Sequence, residues 1–438
     1  MSKQFRTIRG IHDGLTSDVQ RWQHIENIAR GVFKRHAFSE VRLPVLEPTA
    51  LFIRSIGEET DIVSKEMYHF EDQGGDDICL RPEGTAGAVR AYLQAGLTRS
   101  GPQRWYYAGP MFRRERPQKG RLRQFQQIGV EWFNVQGPLE DAELLAMAHT
   151  FLSELNIPSL RLEINSLGCP VCRPGYRDKL VTYLKSRAGH LCGTCNERME
   201  TNPMRVLDCK IESCREQLVD APEITGHLCN DCENHFSGLR HTLDTLHVPW
   251  HINPRIVRGL DYYNRTAFEI VTNRLGAQGT VLAGGRYDGL VEELGGPPTP
   301  AVGFALGLER LAMLLPAAEP EYPDTGIVVL GEKVNGAARW NPTNAGEAPL
   351  GDSVHDYALN TMAEFRTAGC SAMYCGGGSA KRQFKTADRE HVRFVVVIGE
   401  DEMAAGNITL KDMLDGSQKN LPVKEAIALV RNRFIADK

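Results

Sequence analysis

The sequence predicts an α+β protein with three parts: a core of helices on an antiparallel sheet, a cysteine-rich and mostly helical insertion, and a C-terminal α/β domain. Three observations support this prediction. Two strand-like segments within residues 105–133 flank a short loop, as in an antiparallel hairpin. Eight of the 11 cysteines fall between residues 169 and 232. After a proline-rich stretch at 316–323, strand and helix patterns alternate to the end of the chain.

Length and composition are those of a soluble globular protein with two or three domains. The 438 residues are 24% charged and 42% hydrophobic, which is ordinary. We expect a cytoplasmic location, because the sequence has neither a signal-peptide pattern nor an uncharged apolar run long enough to cross a bilayer. With a net charge of −4, any nucleic-acid binding must depend on local basic patches.

The predicted hairpin carries the clearest functional signal. Its strand-like segments are WYYAGPMF and QFQQIGVEWF, and its loop holds six basic residues: Arg113, Arg114, Arg116, Lys119, Arg121 and Arg123. A loop with this much positive charge suits a polyphosphate, a nucleic acid or both. A solvated edge hairpin, whose charges have no binding role, is the alternative interpretation.

Alternation along the second strand separates an apolar face from a polar one. Ile128, Val130 and Trp132 share the apolar face. The other face holds Arg123, Phe125, Gln127, Gly129, Glu131 and Phe133. An aromatic ring and an arginine near the loop fit the recognition of a planar base beside phosphates. The glycine between the amide and the carboxylate is expected to leave room for a ligand against the backbone.

The segment before the hairpin contains a second candidate binding element. Residues 78–94 predict a strand that turns into a helix, with Thr85 in the first helical turn. Glu83 and Thr85 flank Gly84 at this junction. The N–H groups of the helix start and the Glu83 carboxylate could together hold the charged groups of an amino acid. A capped helix start without a ligand is the alternative.

The cysteine-rich insertion has the spacing of a thiolate metal site. Its cysteines form three CxxC pairs and one looser pair: Cys169/Cys172, Cys192/Cys195, Cys229/Cys232 and Cys209/Cys214. Such pairs suit tetrahedral coordination, so the insertion could contain one or two four-thiolate zinc sites. An iron–sulfur cluster is a weaker alternative, because nothing else in the sequence indicates redox chemistry. Free thiols in a helical insertion are the third interpretation.

Two later segments carry further candidate residues. Within the strand-like residues 255–272, Arg258 and the pair Tyr262 and Tyr263 surround a Gly-Leu-Asp turn. A turn with structural tyrosines is the alternative here.

Residues 301–315 are predicted as a helix that places Gly303, Gly307 and Arg310 on one face. In that helix the glycines would allow a close approach to a sheet, and Arg310 would project toward whatever the sheet binds. The alternative is a tightly packed helix with a solvated arginine.

These stretches together resemble the histidyl-tRNA synthetases, which are class II aminoacyl-tRNA synthetases, over nearly the whole chain. SEVRLPVLEP is similar to the dimer-forming motif 1, FRRERPQKGRLRQFQQIGVE to motif 2 and GFALGLERL to motif 3. RGLDYYNRTAFE and LAGGRYDGLVEELGG resemble the two signatures that separate the histidine enzymes from other class II members. Sequences of the P-loop type, GxxxxGK[ST], are absent.

The resemblance implies ligation of L-histidine to tRNA(His), with ATP as a substrate and histidyl-adenylate as the intermediate. It also implies Mg²⁺ with the β- and γ-phosphates, and a homodimer. The implied catalytic residues are Arg113 and Arg258. The implied histidine-binding residues are Glu83, Thr85, Arg113, Gln127, Glu131, Arg258, Tyr262 and Tyr263. The implied ATP-binding residues are Arg113, Arg121, Phe125 and Arg310.

Individual roles at ATP follow from the same resemblance. Arg113 would contact the α-phosphate and the histidine carboxylate. Arg258 would supply the positive charge at the α-phosphate that a metal supplies in other class II members. Phe125 and Arg310 would sandwich adenine, and Arg121 would reach the terminal phosphates.

The resemblance also assigns roles at histidine and tRNA. Glu83, Thr85 and Gln127 would hold the amino group, while Glu131 and Tyr263 would read the two imidazole nitrogens. A fixed acceptor and a fixed hydroxyl suit a ring with two nitrogens. The candidate tRNA-binding residues are Arg116, Gln118 and Lys119 in the hairpin loop and Lys381, Arg382 and Lys385 on a basic helix of the last domain. A solvated helix face is the alternative for those last three.

In these terms, residues 1–167 and 241–320 are the two parts of the catalytic core, 168–240 are the insertion near the tRNA acceptor stem, and 324–438 are the anticodon-binding domain. The cysteine-rich insertion is present only in some members, and the Gly- and Pro-rich loop at 335–352 is larger than usual. One rival is a catalytically inactive, synthetase-like regulatory subunit of histidine biosynthesis. Such paralogues lack the C-terminal domain and catalytic motif residues that this chain retains. A class II synthetase for threonine, proline or glycine is opposed by the two histidine signatures.

Overall fold

A computed structural model of the chain describes residues 5–57, 60–118, 120–257, 262–275, 279–317, 322–330 and 354–436. The chain divides into two compact units, Met1–Ala318 and Glu319–Lys438. In the described part of the chain, no helix combines the length and the apolar character needed to cross a membrane.

The first unit begins with short strands and helices that lead into the hairpin. These elements are α1 (Thr16–Arg35), β1 (Ser39–Glu40), β2 (Leu46–Pro48), α2 (Thr49–Ile56), β3 (Tyr68–Glu71), β4 (Asp77–Leu80), α3 (Thr85–Gln94), β5 (Gln103–Phe112), β6 (Gln124–Phe133), α4 (Pro138–Glu154) and β7 (Leu160–Ser166). The predicted hairpin and the predicted helix start at Thr85 are both confirmed.

The remainder of the first unit contains the insertion and the return to the sheet. The helices of the insertion are α5 (Arg173–Lys185), α6 (Gly193–Thr201), α7 (Glu212–Gln217) and α8 (Asn230–Thr245). After them come β8 (Trp250–Ile252), β9 (Asn264–Thr272), β10 (Thr280–Arg286), α9 (Leu290–Glu293), β11 (Ala301–Gly307) and α10 (Leu308–Ala312). The mostly helical character of the insertion agrees with the prediction.

Among the described residues, an eight-stranded sheet in the order β1-β5-β6-β11-β10-β9-β7-β8 organises the first unit. Its pairs are antiparallel, except for the parallel pairs β1–β5 and β7–β8 at its edges. Strands β5 and β6 pair along ten residues, from Gln103 opposite Phe133 to Phe112 opposite Gln124. Because β6 also pairs with β11, the interpretation as a solvated edge hairpin is wrong.

The two faces of β6 have the predicted characters. Ile128, Val130 and Trp132 are buried in a large apolar core, together with residues of α1 and α4. Burying such side chains contributes about 1.5–3 kcal/mol each. The polar face, which carries Gln127 and Glu131, is therefore held in place by a packed layer beneath it.

The prediction of a helix over residues 301–315 is wrong. Residues 301–307 form the central strand β11, and only Leu308–Ala312 are helical. Strand β11 pairs with β6 on one side and β10 on the other, and an apolar run in such a strand cannot be distinguished from a buried helix by its periodicity. Gly303 lies opposite Glu131, where an added Cβ would meet the Glu131 carboxylate at 2.1 Å.

A second, three-stranded sheet in the order β2-β4-β3 contains part of the segment predicted to be an interface. Leu46 on β2 and Phe70 on β3 are each 47% exposed. Two large apolar side chains therefore remain uncovered on neighbouring parts of one small sheet.

The second unit is an α/β domain, as predicted. Its elements are β12 (Thr325–Val329), α11 (Val354–Thr367), β13 (Ala372–Tyr374), α12 (Ala380–Arg389), β14 (Phe394–Ile398), α13 (Glu400–Ala405), β15 (Asn407–Asp412), β16 (Gln418–Pro422) and α14 (Val423–Ala436). Its sheet order is β13-β12-β14-β15-β16, with parallel pairs among the first three strands and antiparallel pairs after them. The β15–β16 hairpin was not predicted, because β16 is polar and exposed apart from one leucine. The Gly- and Pro-rich loop at 335–352 lies outside the described residues.

Candidate active site

A cleft of about 250 Å³ lies over the polar face of the large sheet. It brings together nine of the residues predicted to bind histidine or ATP: Glu83, Thr85, Arg113, Arg121, Phe125, Gln127, Tyr262, Tyr263 and Arg310. Arg258, predicted to be catalytic, lies outside the described residues. The cleft therefore joins side chains from α3, the β5–β6 hairpin, the segment before β9 and α10.

The Glu83 side chain caps the start of helix α3. Its carboxylate accepts hydrogen bonds from the backbone N–H groups of Thr85, at 2.6 Å, and Ala86, at 2.8 Å. These N–H groups were expected to hold an amino acid, and that expectation is wrong, because Glu83 caps them instead. Burial raises the pKa of the Glu83 carboxyl, although both N–H groups favour its charged form.

Glu131 lies at the floor of the site and is 1% exposed. Its carboxylate accepts hydrogen bonds from the hydroxyls of Thr85, at 2.8 Å, Tyr107, at 3.1 Å, and Tyr287. Burial raises the pKa of Glu131 to about 8, although the hydroxyl donors lower it. This acceptor is fixed by three donors before any substrate is present.

Gly129 does not leave room for a ligand, so that expectation is also wrong. Tyr107 lies directly opposite it on β5, and an added Cβ on Gly129 would be 2.1 Å from the Tyr107 ring. An added Cβ on Gly84 would lie 2.2 Å from the same ring. Both glycines thus accommodate Tyr107, whose hydroxyl reaches Glu131. Sequence reasoning missed Tyr107 and Tyr287, because only strand register reveals which tyrosine faces which glycine or carboxylate.

Gln127 presents an unsatisfied acceptor at the cleft. Its Oε1 atom is buried and has no hydrogen-bond donor among the described residues. Leaving a buried polar atom unpaired costs about 1–3 kcal/mol. A ligand with an N–H donor would satisfy this atom.

The other part of the cleft is cationic and aromatic. Arg113 donates from Nε to the Pro82 carbonyl at 2.8 Å, and its guanidinium carbon lies 5.4 Å from the centre of the Phe125 ring. Arg121 forms an ion pair with Glu115 at 3.1 Å. Arg310 is half-buried. Its burial is the main cause that lowers its pKa, and the positive charge of the nearby Arg121 is the second. The guanidinium group nevertheless remains charged. This group suits a purine with attached phosphates.

Two further carboxylates line the cleft and were not predicted. Glu115 accompanies the arginines, and Glu309 accepts a hydrogen bond from the Gln126 N–H at 2.8 Å. Burial raises the pKa of Glu309 to about 7. Glu309 belongs to the motif GLERL, where the sequence analysis considered only the arginine.

Comparisons with known proteins show which family the chain belongs to. Residues 10–311 match the family model described as histidyl-tRNA synthetase. The chain belongs to the histidyl-tRNA synthetase family. Residues 344–433 match a second model, described as an anticodon binding domain.

Individual relatives agree with this membership of the histidyl-tRNA synthetase family. The chain is 47% identical over 417 residues to a histidine–tRNA ligase of Geobacter metallireducens, covering 94% of this chain and 96% of the relative. It is 45% identical over 435 residues to that of Thermodesulfovibrio yellowstonii, covering 98% and 99%. The solved structure of apo S. aureus histidyl-tRNA synthetase is 32% identical with a TM-score of 0.77, covering 98% of this chain and all of that one. The predicted family, fold class and enzyme class are confirmed.

Residues predicted to bind tRNA in this synthetase family lie on exposed surfaces. Arg116 and Gln118 are exposed, and Lys119 lies outside the described residues. Arg116 lines an open groove of about 690 Å³ with four other cationic residues: Arg9, Lys65, Arg114 and Arg123. In the second unit, Lys381, Arg382 and Lys385 are exposed on helix α12.

The eight cysteines of the insertion form two groups that could hold a metal ion. The proximal cluster contains Cys169, Cys172, Cys229 and Cys232, and the distal cluster contains Cys192, Cys195, Cys209 and Cys214. Within each cluster, all sulfur atoms lie within 4.8 Å of one another, and none forms a disulfide. The looser Cys209/Cys214 pair thus joins Cys192/Cys195, an arrangement that sequence spacing left open.

Proposed function

We propose that this protein ligates L-histidine to tRNA(His), using ATP and forming a histidyl-adenylate intermediate. The observation that carries the proposal is the composition of one cleft. Its deep part offers carboxylate and amide acceptors, and its other part offers three guanidinium groups beside an aromatic ring. A small amino acid and a nucleotide would therefore lie next to each other, which in-line attack of a carboxylate on the α-phosphorus requires.

At the histidine end, the proposed contacts use acceptors that the chain holds in fixed positions. The ammonium group would donate to Gln127 Oε1, which has no donor among the described residues, and to the carboxylate of Glu83. Glu131 would accept from one imidazole nitrogen, since its three hydroxyl donors leave a carboxylate lone pair available. Tyr263 would pair with the other nitrogen. Amino acids whose side chains cannot pair with both Glu131 and Tyr263 would be rejected, because a buried polar atom would remain unpaired.

At the ATP end, the chemistry needs positioning and charge stabilisation more than an acid or a base. Arg113 would contact the α-phosphate and the histidine carboxylate, and Arg121 the terminal phosphates. Adenine would lie between Phe125 and Arg310. Carboxylate oxygens are suitable Mg²⁺ ligands, and Glu115 and Glu309 are the carboxylates beside the arginines. When bound with ATP, Mg²⁺ would neutralise part of the charge on the β- and γ-phosphates.

Arg258 would supply further positive charge at the α-phosphate. We expect Arg258→Ala to retain measurable ATP binding and to slow adenylate formation by about 10²-fold or more. Single-turnover formation of histidyl-adenylate is the measurement. A mutant with the rate of the unmodified enzyme would refute this role.

For tRNA, the open groove that contains Arg116 suits the phosphates of an acceptor stem. Lys381, Arg382 and Lys385 on α12 are the candidates for the anticodon stem and loop. Charge removal at these three residues should weaken tRNA binding and reduce its dependence on salt. Unchanged tRNA affinity at physiological salt would exclude them.

A homodimer and a cytoplasmic location are parts of the same proposal. The exposed Leu46 and Phe70 on the β2-β4-β3 sheet support a subunit contact near motif 1, because uncovered apolar groups favour burial. Light scattering after size exclusion should give twice the chain mass of 48.8 kDa. The mass of a single chain would argue against the dimer.

We further propose that each cysteine cluster holds Zn²⁺. Four thiolates in tetrahedral coordination, with Zn–S bonds of about 2.3 Å, place their sulfur atoms about 3.8 Å apart. In the proximal cluster, Cys169 lies 3.7 Å from both Cys172 and Cys229, and Cys172 lies 3.8 Å from Cys232. Metal analysis of protein purified without chelator should give two zinc ions per chain. Clearly lower zinc and iron contents would contradict the proposal.

The decisive test of the activity is ATP/pyrophosphate exchange with histidine, alongside threonine, proline and glycine. Exchange that depends on histidine alone would support both the pocket and the chemistry. Histidine binding without any exchange would instead favour the regulatory-subunit interpretation. Aminoacylation of tRNA(His) with labelled histidine then tests the second step.

A further inference from the structure

The proximal cluster lies at the point where the insertion joins the catalytic sheet. Its first cysteine pair follows β7, and its second pair stands at the start of α8. Cys169, from the first pair, and Cys229, from the second, are 60 positions apart in sequence, but their sulfur atoms lie 3.7 Å apart. A metal ion here would therefore close the base of the insertion.

One residue connects this cluster to the histidine pocket. Arg173 directly follows Cys172 and begins helix α5. Its Nε donates to the carbonyl of Leu167 at 2.9 Å, and its Nη2 donates to the carbonyl of Tyr263. Tyr263 lines the candidate active site. The guanidinium group thus spans the distance between the cysteine cluster and a residue of the cleft.

Backbone pairing reinforces the same connection. The N–H of Leu167 donates to the carbonyl of Arg265 at 2.6 Å, and the N–H of Arg265 donates to the carbonyl of Gly168 at 2.8 Å. The residues just before the cluster are therefore paired with those just after Tyr263. Gly168 has a φ of +64°, and an added Cβ would lie 2.8 Å from the Cys172 sulfur, so glycine is required there.

The position of Arg173 depends on the cluster. The N–H of Cys169 donates to the Cys172 sulfur at 3.1 Å, and the N–H of Arg173 donates to the carbonyl of Cys169 at 3.0 Å. A metal bound to both thiolates would fix this turn and, with it, the first residue of α5. Conversely, loss of the metal would remove the bonds that hold the four sulfur atoms together and would release the turn.

The distal cluster is placed differently. The N–H of Cys192 donates to the Cys214 sulfur at 3.1 Å, and the carbonyl of Cys192 accepts from Asn196. Its four cysteines pack with Leu180 and Leu184 of α5 in the hydrophobic core of the insertion. These contacts hold the insertion together and lie within it.

We propose that the proximal cluster is a metal site that positions Tyr263 for histidine through Arg173, whereas the distal cluster maintains only the fold of the insertion. The proposal rests on the zinc occupancy and the histidine site proposed above. Its ligand is Zn²⁺. It makes Arg173 a positioning residue that sets the affinity for histidine without touching ATP.

Matched cysteine variants test the proposal in the full-length protein. Cys172→Ser and Cys195→Ser each change the second cysteine of a CxxC pair, and both side chains are buried. Each variant should lose one of the two zinc ions. Only Cys172→Ser should raise the KM for histidine in pyrophosphate exchange, by about tenfold, with the KM for ATP changed less than about twofold. Equal histidine KM values in the two variants would overturn the proposal.

Arg173 provides a second test that leaves the cysteines intact. Arg173→Ala should keep both zinc ions and still raise the KM for histidine by about tenfold, with Arg173→Lys between it and the unmodified protein. Arg177→Ala, one helical turn further and bonded to the exposed Glu200 carbonyl, is the control and should change neither value. If Cys172→Ser does not fold, an unchanged histidine KM in Arg173→Ala overturns the proposal.

The unmodified protein separates the possible failures. Exchange activity without zinc would refute the metal site, but it would leave the proposed function standing. Zinc without histidine-dependent exchange would refute the proposed function. Exchange and two zinc ions, with an effect on the histidine KM confined to the proximal variants and Arg173, is the result that supports the proposal.

Discussion

The histidine end of the cleft and the cysteine clusters are organised by different means. At the histidine end, the chain supplies every donor that holds Glu131: three hydroxyl groups surround one buried carboxylate. In the insertion, eight thiols form two groups of four, and within each group the sulfur atoms lie within 4.8 Å of one another. The first region is therefore preorganised by its own donors, whereas the zinc ions proposed above would hold the second region together.

A buried network of charged side chains joins the catalytic sheet to the insertion. Arg286 is fully buried and bonds to Asp141, to Asp288 and to the carbonyl groups of Val135 and Gly137. Burial alone would raise the pKa of Asp141, but Arg286 and a hydrogen bond from His235 outweigh it and lower the pKa to about 2. Because His235 belongs to α8, the last helix of the insertion is anchored to the sheet without a metal.

Metal removal should give the largest difference in behaviour between the catalytic sheet and the insertion. Structural zinc sites contribute roughly 10–16 kcal/mol in zinc-finger peptides, so a chelator should open the insertion while the sheet persists. Limited proteolysis should then cut within residues 186–228, and added zinc should restore protection. Chelated protein that resists proteolysis as well as the untreated protein would contradict the comparison.

Breaking the ion network should damage the sheet without altering the metal content. Arg286→Met removes the buried cation from Asp141 and leaves its carboxylate with only the hydrogen bond from His235, and we expect a loss of about 3–5 kcal/mol in the free energy of unfolding. Urea titration is the measurement. Arg35→Met removes an exposed ion pair with Glu154 and should cost at most about 1 kcal/mol. Similar losses in the two variants would show that the buried network has no special importance.

A methyl group at Gly129 tests whether the pocket is as closely packed as the distances indicate. Gly129→Ala should displace the Tyr107 ring, which costs about 1–3 kcal/mol and releases one donor from Glu131. The KM for histidine should rise, with less change in the KM for ATP. Gly175→Ala is the control, because an added Cβ there meets nothing within 4 Å. A Gly129→Ala protein with normal stability and histidine affinity would show that the ring moves freely.

The pH dependence of stability should report the buried Glu131. Its pKa is about 8 in the folded chain and near 4.5 when exposed, so the folded state retains a proton that the unfolded state releases. This contribution is fully present below pH 4.5 and is lost as the pH rises toward 8. Between about pH 6.5 and 7.5, Glu131→Gln should gain roughly 1.4 kcal/mol relative to the unmodified protein. The measurement is thermal melting of both proteins across this pH interval. A stability difference between them that does not change with pH would contradict the raised pKa of Glu131.

Local sequence patterns alone determined much of this protein. Alternating residues identified the hairpin and the face of β6 that carries Phe125, Gln127 and Glu131, since strand geometry fixes side-chain direction at every second residue. The helix start at Thr85 and the cysteine pairs are also local features. The resemblance to family motifs was needed to predict that residues so distant in sequence share one cleft.

Only the tertiary structure decided the remaining features. Residues 301–307 are a strand because β6 and β10 pair with them on both sides, and an apolar run carries no sign of those partners. The same holds for the two glycines that accommodate Tyr107, for the capture of the helix-start N–H groups by Glu83, and for the division of the cysteines into two clusters. Glu83 is a local exception, because it caps N–H groups only two and three residues away. In the other cases the deciding contact joins residues far apart in sequence, and local propensity and spacing contain no information about which distant groups meet.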